Sequence, residues 1–260
     1  AFSGLPVSGV TGEWSWSNNP AFGVAILESG RLQGWGSGLP SLASADGGFV
    51  SGGAGQQFFL GLRSDGTVFG TGSNGWGQAT VPPGLKEVVS LAAGKFHGVA
   101  VRRDGSIVAW GNSQQGATLV PAGIGRAASV SAGNQFSAVL LESGAVACWG
   151  ANSSGQSTPP AGLADVVQIA CGDSHVVALK SDGSVVAWGN NGSAQSSVPA
   201  GLSSVVAVAA GISHSLALKS DGTVVAWGDN SYRQRDVPSG LNRVREISAN
   251  AGTNFVLRES

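Results

Sequence analysis

Short apolar runs alternate with polar turns along the chain, and they recur in one order. The apolar run Val205–Ala210 is followed by an alternating segment, His214–Lys219, and a third run that ends at Trp227. Asp221-Gly222 separates the last two runs. Alternation is typical of strands, and Asp-Gly favours a hairpin because glycine accepts a positive φ. One unit therefore predicts three antiparallel strands, with a short fourth strand near Asp236-Val237.

This unit is repeated, and most copies begin thirty-nine residues apart. Each copy is anchored by an aromatic residue or a histidine at the start of its alternating segment. The seven anchors are Phe22, Phe58, His97, Phe136, His175, His214 and Phe255. Repeats of about forty residues that contain several strands and no helix are typical of propeller blades. We therefore predict an all-β, seven-bladed β-propeller that occupies residues 1–260 as a single domain.

The ring has to close, and the ends of the chain predict how. The last copy reaches Ser260 without its Asp-Gly turn and third strand, whereas the N-terminal segment is extra to the first copy. Ala1–Val10 is predicted to add a strand beside the seventh blade and so to join the N- and C-terminal segments. An open solenoid is the alternative, but neither end shows the polar capping repeat that an open array needs.

Composition restricts the classes of partner. Charged residues make up 11% of the chain and the net charge is −1, so no nucleic-acid-binding footprint is expected. No run approaches the roughly 18 apolar residues of a membrane span, so no membrane insertion is expected. The chain contains no methionine, which indicates a mature or excised product. We expect a monomer that is secreted or extracellular.

Residue types that often carry catalysis occur here at repeated positions, which favours structural roles. A catalytic base is normally unique, whereas three histidines share one repeat position and are predicted to hydrogen-bond a turn. Four aspartates begin the hairpin turns, and five tryptophans precede a glycine as blade-packing residues. These residues are His97, His175 and His214; Asp65, Asp104, Asp182 and Asp221; and Trp35, Trp110, Trp149, Trp188 and Trp227.

The remaining motifs indicate neither an enzyme nor a cofactor or metal site. Cys148 and Cys171 occupy positions of small core residues, which predicts two buried free thiols, with a disulfide between adjacent repeats as the alternative. Gly70–Gly75 reads G-x-G-x-x-G, but no helix is expected after it to hold a pyrophosphate. No catalytic constellation is present, so we expect a protein that is not an enzyme.

Several large side chains fall outside the repeated pattern, in predicted loops. Loops on a rigid scaffold are where binding residues concentrate, and tryptophan and tyrosine dominate binding hot spots. The candidate partner-binding residues are Trp14, Trp16, Trp76, Phe96, Tyr232 and Arg233. Arg233 belongs to a sequence cluster with Arg235, Arg243 and Arg245, which is of a kind that steers a charged partner.

The repeat resembles a known family. The segment from His214 to Asn230, HSLALKSDGTVVAWGDN, resembles the regulator of chromosome condensation repeat of seven-bladed propellers, and the likeness covers residues 20–260. Ser73–Pro82, followed by Gly94–Gly98, resembles the propeller-type β-lactamase inhibitory proteins, as do Gly228–Pro238 and Gly12–Trp16. That resemblance implies a non-enzymatic binder whose loop aromatics grip an enzyme, and it carries over Trp76, Phe96, Tyr232 and Trp14. The corresponding loops of other copies lack aromatics.

Three functions remain open from the sequence. The first is a protein-binding propeller, which possesses one patch of unlike loops and inhibits a β-lactamase-like enzyme. The second is a carbohydrate-binding lectin, although a repeated sugar site would make Trp76 and Tyr232 recur at the repeat period, and they do not. The third is an architectural module of a larger extracellular protein.

Overall fold

The described residues form short strands joined by turns. The computed structural model describes residues 7–12, 22–36, 38–43 and 45–258. One 3₁₀ turn, Gln114–Gly116, precedes the tenth strand. The strands are β1 (Val7–Gly12), β2 (Phe22–Leu27), β3 (Leu32–Gly36), β4 (Phe49–Gly55), β5 (Phe58–Arg63), β6 (Val68–Gly72), β7 (Val88–Ala93), β8 (His97–Arg102), β9 (Ile107–Gly111), β10 (Ala127–Ala132), β11 (Phe136–Leu141), β12 (Val146–Gly150), β13 (Val166–Cys171), β14 (His175–Lys180), β15 (Val185–Gly189), β16 (Val205–Ala210), β17 (His214–Lys219), β18 (Val224–Gly228), β19 (Val244–Ala249) and β20 (Asn254–Arg258).

The strands pair into seven antiparallel sheets, one for each predicted blade. Blades 1 to 6 contain three strands each, taken in chain order from β1–β3 to β16–β18, and blade 7 contains β19 and β20. The first strand of each blade lies beside the first strands of the neighbouring blades, from β1 through β4, β7, β10, β13 and β16 to β19. The predicted all-β, seven-bladed propeller is therefore confirmed. Among the described residues, no helix is long and apolar enough to cross a membrane.

The ring closes between the N-terminal and C-terminal segments, but not by the predicted strand pairing. β1 lies against β19, and the Trp35 ring packs edge-on against Phe255 with 5.6 Å between the ring centroids. Val7–Gly12 pairs with β2 inside blade 1, rather than adding a strand to blade 7 as predicted for Ala1–Val10. Residues 1–6 lie outside the described part of the chain. Closure thus uses contacts between two sheets instead of one sheet shared by both ends.

Two details of the repeat differ from the sequence prediction. No fourth strand forms at Asp236-Val237, because Asn230 Nδ2 bonds Asp236 Oδ1 and the Val237 amide bonds the Arg235 carbonyl in a tight turn. The strand register of blade 7 also places Thr253, rather than Phe255, at the anchor position. Ala249 pairs with Asn254 in blade 7 as Ala210 pairs with Ser215 in blade 6.

The hydrophobic core lies between successive blades. The first five residues of the middle strands β2, β5, β8, β11, β14 and β17 are all buried, because each middle strand is covered on both faces. Trp227 of blade 6, for example, packs against Val177 and Leu179 of blade 5. The conserved geometry of these contacts makes the ring a rigid support for its loops.

Antiparallel pairing divides the connections between two faces. The turn from the first to the second strand of a blade and the loop after the third strand lie at one end, which we call the loop face. In blade 3 the two are joined by the Asn112 amide, which donates to the Phe96 carbonyl at 2.9 Å. The Asp-Gly hairpins lie at the other end, the hairpin face, where the Arg103 amide donates to the Glu87 carbonyl at 2.8 Å.

Candidate functional site

The loops that follow β6 and β18 present Trp76 and Tyr232 at equivalent tips on the loop face. The Trp76 amide donates to Gln78 Oε1 at 2.9 Å, and the Tyr232 amide donates to Gln234 Oε1 at 2.8 Å. Both glutamines are buried, whereas the two aromatic residues are 52% and 67% exposed. A buried amide therefore fixes the backbone beneath each exposed ring. Sister repeats hold Ser154 and Ser193 in the same way.

Phe96 lies in the turn next to the Trp76 loop. A Cβ atom placed on Gly111 would lie 2.8 Å from the Phe96 carbonyl oxygen and 3.1 Å from Gln78 Cα. The turn and the loop thus converge on one glycine, which leaves no room for a side chain. Phe96 is partly exposed, and Lys95 Nζ lies 5.3 Å from the centroid of its ring. The structure therefore brings Trp76 and Phe96 into neighbouring segments of one face.

Tyr232 and Arg233 lie on the same face but elsewhere on the ring. The Tyr232 loop overlies the boundary of blades 6 and 7, where Tyr232 Cδ2 would be 3.5 Å from a Cβ atom on Gly252. Arg233 follows with a positive φ of 61° and an exposed side chain. The Trp76 loop overlies the boundary of blades 2 and 3, so the two loops are on opposite sides of the ring. They form two separate patches.

The remaining predicted site residues do not join either of these patches as one group. Trp14 and Trp16 lie outside the described residues. Arg233 and Arg235 belong to the loop face, whereas Arg243 and Arg245 lie at the start of β19, on the hairpin face. The backbone of Arg243 is 3.1 Å from the place a Cβ atom would take on the hairpin glycine Gly222. The arginine cluster in the sequence is thus not one patch in space.

The channel mouth at the centre of the loop face is polar, which the sequence did not reveal. Backbone hydrogen bonds pass from blade to blade around it, including Asn134 N to Asp173 O at 2.9 Å and Ile212 N to Asn250 O at 3.3 Å. Asp173 Oδ1, Asn250 Oδ1 and Gln56 Oε1 are buried there without a donor among the described residues. Burial raises the pKa of Asp173, against the lowering effect of the Ser174 hydroxyl. The mouth is therefore built from polar groups of several blades, but these three acceptor atoms are themselves shielded from solvent.

A channel of about 350 Å³ continues from this mouth between the inner strands. Its walls are mostly small and apolar, with Ser131, Gln168, Ser248 and Asn250 as polar exceptions. Gln168 bonds both the amide and the carbonyl of Val208, and Ser131 Oγ accepts from the Cys171 amide. Gln168 and Ser131 therefore hold neighbouring inner strands together, whereas Asn250 Oδ1 has no donor among the described residues.

The three histidines are structural, as their repetition predicts, but they bond a strand of the next blade rather than a turn. His97, His175 and His214 are buried, and each Nε2 bonds a side chain of the next blade. Burial lowers the pKa of His97 to about 4 and that of His175 to about 3. All three rings are therefore neutral near pH 7 and shielded from solvent, which makes them unsuitable as catalytic bases.

The repeated aspartates and tryptophans are also structural. Asp221 Oδ1 accepts from the amide of Thr223 at 3.0 Å and from its hydroxyl at 2.6 Å, and these bonds lower the pKa of Asp221 to about 2. The same amide bond is made by Asp65, Asp104 and Asp182. Trp227 is buried, and its Nε1 donates to the Gln195 carbonyl at 2.9 Å.

The cysteines and the glycine-rich motif behave as predicted. Cys148 and Cys171 are free thiols in the core between blades 4 and 5. Burial raises the pKa of Cys171 to about 12 and that of Cys148 well above its ordinary value. Turns, not a helix, follow the Gly70–Gly75 motif. Within the described ranges, no three His, Cys, Asp or Glu side chains are placed to hold a metal ion.

The hairpin face carries an apolar feature that the sequence pattern did not single out. The second residue of four inner strands is displaced by a register shift, and its side chain is about half exposed. These residues are Val50, Val89, Val167 and Val206. They provide exposed apolar side chains on the hairpin face.

Comparisons with known proteins identify the repeat and the fold. The family description "Regulator of chromosome condensation (RCC1) repeat" matches residues 88–117, 127–156, 166–195 and 205–234. No curated protein sequence matches the chain.

Solved structures share the fold at low sequence identity. The CRINKLY WD40 ectodomain of the Arabidopsis thaliana receptor kinase ACR4 has a TM-score of 0.76 at 19% identity, over 98% of this chain and 93% of that one. Prp20p from Saccharomyces cerevisiae has a TM-score of 0.78 at 16% identity, over 92% and 81%. Human WBSCR16 has a TM-score of 0.74 at 17% identity, over 99% and 88%. At these identities the likeness establishes the propeller fold alone.

Proposed function

We propose that the chain is a propeller of the regulator of chromosome condensation repeat family, whose repeat matches residues 88–117, 127–156, 166–195 and 205–234. We also propose that it is a non-enzymatic module that binds a protein partner on its loop face. One observation carries the proposal: Trp76 is half exposed on a tip whose backbone is fixed by the buried Gln78. Blades 4 and 5 hold Ser154 and Ser193 at this position, so the repeat does not require a large aromatic side chain for packing there. Rigid, exposed tryptophan is the residue type most enriched in protein-binding hot spots.

The neighbourhood of Trp76 supports an asymmetric partner. Phe96 lies in the adjoining turn and Lys95 beside it, so an apolar centre is flanked by a positive charge. The equivalent turns and loops of blades 4 and 5 contain Gln135, Ser154, Ser174 and Ser193. One patch that differs from its sister copies suits a single protein partner better than a ligand that is bound in every blade.

The kind of partner is proposed from two sources. Prp20p, which has a similar fold, binds Gsp1p and histones, so a protein partner is a reasonable expectation for this chain. The resemblance of Ser73–Pro82 and Gly94–Gly98 to β-lactamase inhibitory propellers narrows the proposal to a β-lactamase-like enzyme. Trp76 and Phe96 would then enter the concave surface of that enzyme.

Carbohydrate binding is the second candidate, and the channel mouth favours it. Asp173 Oδ1 and Asn250 Oδ1 are buried acceptors without donors among the described residues, on the same face as Phe96. Sugar hydroxyls are donors that would satisfy them after a local rearrangement exposes the two oxygens, and the Phe96 ring would stack on a sugar face. Such a site would occur once, in agreement with the absence of a repeated aromatic and acid.

The first experiment is a titration of the protein against a class A β-lactamase that hydrolyses a chromogenic substrate. We expect inhibition that weakens at least about tenfold in Trp76→Ala and in Phe96→Ala, since a hot-spot side chain is worth more than about 1.4 kcal/mol. Leu119→Ala is the matched control, because Leu119 is exposed in the loop after β9 and outside the patch. Absence of inhibition at micromolar protein would remove this target.

A second arm separates the faces and the ligand classes. If a protein partner is found, its affinity should fall in Trp76→Ala and stay constant in Val89→Asp, which alters the hairpin face. The opposite result would contradict the proposed loop-face site. Binding on a glycan array that is lost in Asp173→Asn, with Trp76→Ala unaffected, would replace the protein partner by the carbohydrate candidate.

A further inference from the structure

Four boundaries between blades share one packing arrangement, in which a tryptophan from the third strand of one blade enters a pocket of the preceding blade. Its indole Nε1 donates to a loop carbonyl of that preceding blade at 2.8–3.0 Å. The pairs are Trp110 with Gln78, Trp149 with Ala117, Trp188 with Gln156, and Trp227 with Gln195. All four tryptophans are buried.

The side chains around Trp110 show how such a pocket is lined. Trp110 packs with Leu60 and Leu85, and with the partly buried Val68 and Val81, all from blade 2 or the linker that follows it. It also lies over Gly98 in its own blade, where a Cβ atom would be 2.5 Å from the indole. The indole is thus enclosed by two aliphatic strands, a linker and its own sheet.

The boundary between blades 6 and 7 has a pocket at the same position, and this pocket is a cavity of about 380 Å³. Its lining includes Leu216, Val224, Val237 and Leu241. These occupy the repeat positions of Leu60, Val68, Val81 and Leu85 in blade 2. Among the described residues, blade 7 has no third strand and therefore no tryptophan to fill this space.

The loop carbonyl beside this cavity lacks the indole donor that its counterparts have. The Ala117 carbonyl accepts both the Ser137 hydroxyl at 2.9 Å and Trp149 Nε1 at 2.8 Å. The equivalent Gln234 carbonyl accepts Asn254 Nδ2 at 2.6 Å, and within the described chain no indole joins it. Among the described residues, β20 pairs only with β19, whereas the middle strands of blades 1 to 6 also pair with a third strand.

We propose that this cavity and the outer edge of β20 form a docking site for an extended peptide segment that carries Trp-Gly in the pattern of β9, β12, β15 and β18. The segment adds an antiparallel third strand to blade 7, as in β-augmentation. Its tryptophan lies opposite Asn254, as Trp227 lies opposite Ser215, and donates to the Gln234 carbonyl. The site is at the flank of the ring and involves neither Trp76 nor Phe96, so it goes beyond the proposed function.

The test uses a labelled peptide with the sequence of residues 220–230, SDGTVVAWGDN, titrated into the whole protein. We expect saturable binding, with slower amide exchange in β20. Affinity should fall at least tenfold when the peptide tryptophan is replaced by alanine, and also in the protein variant Val237→Arg. Val237 is partly exposed on the pocket wall, so this variant should fold. Leu119→Arg, an exposed change in another loop, is the matched control and should bind normally.

A fused variant tests the site without relying on the affinity of a free peptide. A copy of residues 222–230 is added after Ser260, which occupies the repeat position of Asp221. The melting temperature should rise by about 5 °C or more, with much less gain when the added tryptophan is alanine. Failure of both the peptide and the fusion would overturn the proposal, as would an equal gain from the alanine version. Self-association that Val237→Arg abolishes would also overturn it, by assigning the site to a second copy.

Discussion

His97 Nε2 lies 3.0 Å from Ser137 Oγ, so a side chain of blade 3 is hydrogen-bonded to a side chain of blade 4 inside the core. Ser137 Oγ in turn donates to the Ala117 carbonyl, which leaves the hydroxyl as the acceptor for a proton on Nε2. His175 with Ser215 repeats the arrangement at 2.9 Å. His214 uses Asn254 Oδ1 at 2.7 Å instead. These pairs tie consecutive blades together with polar contacts.

The anchor and the next blade change together within the chain. Where the anchor is phenylalanine, as at Phe58 and Phe136, the partner position holds Gly98 or Val176, which has no hydrogen-bonding side chain. Where the anchor is histidine, the partner is serine or asparagine. The Nε2 donor is thus paired wherever the anchor is histidine, which is what the cost of a buried unpaired donor requires. Nδ1 of His175 and of His214 is buried without a partner among the described residues.

The first prediction concerns this pairing at the boundary of blades 5 and 6. Ser215→Val should cost about 1–3 kcal/mol of unfolding free energy, because it leaves the Nε2 proton of His175 buried without an acceptor. The double variant His175→Phe with Ser215→Val restores an apolar pair like Phe136 with Val176. It should therefore be more stable than Ser215→Val alone. Urea denaturation of the parent, both single variants and the double variant measures the coupling.

A matched control keeps this cycle interpretable. Ser153→Val alters an exposed loop serine and should change stability by less than about 0.5 kcal/mol. If the effects of the two single variants simply add in the double variant, the histidine and the serine are not coupled and the polar tie between blades is wrong.

The second prediction is a loss of stability in mild acid. Burial lowers the pKa of His97 to about 4 and that of His175 to about 3, whereas an unfolded histidine titrates near 6.5. Below pH 6.5 the unfolded chain binds protons that the folded chain refuses, so stability falls as the pH falls toward the folded values. At pH 5 each histidine should contribute a loss of about 2 kcal/mol relative to pH 7.5.

Comparison with His97→Phe isolates the histidine contribution. Between pH 7.5 and pH 5, the free energy of unfolding should fall by about 2 kcal/mol less in the variant than in the parent, measured by urea denaturation at both pH values. Hairpin aspartates such as Asp221 have lowered pKa values and weaken the fold only in stronger acid, so they do not affect this window. Identical pH dependence in parent and variant would show that His97 is not buried as a neutral ring.

The third prediction separates exposed from packed tryptophan. Trp76→Ala should change the unfolding free energy by less than about 0.5 kcal/mol, because half of its surface already contacts solvent. Trp188→Ala should cost about 3–5 kcal/mol, since it empties a pocket and leaves the Gln156 carbonyl without its indole donor. Thermal and urea unfolding measure both variants. A large loss of stability in Trp76→Ala would indicate that this ring packs the fold rather than serving a partner.

The repeat period allowed the sequence to predict the propeller and the roles of its repeated residues. Equal spacing of apolar runs requires equal strands, and a histidine or tryptophan that recurs at the period has to do the same structural work each time. The fourth strand at Asp236-Val237 was wrong because the tie between Asn230 and Asp236 closes a turn there. The strand propensity of a few residues is weaker than that local bond.

The site was less predictable, because its geometry depends on contacts distant in sequence. The repeat position indicated that Trp76 and Tyr232 occupy equivalent loops, but not that the ring places them on opposite sides of the channel. The four arginines from Arg233 to Arg245 are close in sequence but lie on two faces, because the linker 236–242 runs from the loop face to the start of β19 on the hairpin face. The polar mouth around Asp173 comes from residues of different blades, so no local pattern announces it.

The fourth prediction concerns the reactivity of the two thiols. With the pKa of Cys171 raised to about 12 and that of Cys148 well above its usual value, neither is a thiolate at pH 8. The native protein should therefore react very slowly with a disulfide reagent such as DTNB, and both thiols should react after unfolding in urea. Ser153→Cys should add one rapidly reacting thiol, because position 153 is exposed. Rapid reaction of two thiols in the native parent would show that the blade 4 and 5 boundary is open.

The fifth prediction concerns the glutamines that hold the loop tips. Gln78→Leu removes the acceptor of the Trp76 amide while keeping a side chain of similar size, so stability should fall by about 1–3 kcal/mol. Hydrogen exchange at the Trp76 amide should accelerate at least tenfold, whereas the Tyr232 amide, held by Gln234, should be unchanged. Gln114→Leu is the control, because Gln114 is exposed in a loop of blade 3 that lacks the buried glutamine.

If Trp76 is the centre of a binding patch, Gln78→Leu should also lower the affinity for the partner, although the buried Gln78 does not contact it. The reason is that a mobile Trp76 ring must be ordered on binding. Weakened binding in Gln114→Leu as well would mean that loop rigidity as such, rather than the glutamine beneath Trp76, controls the affinity.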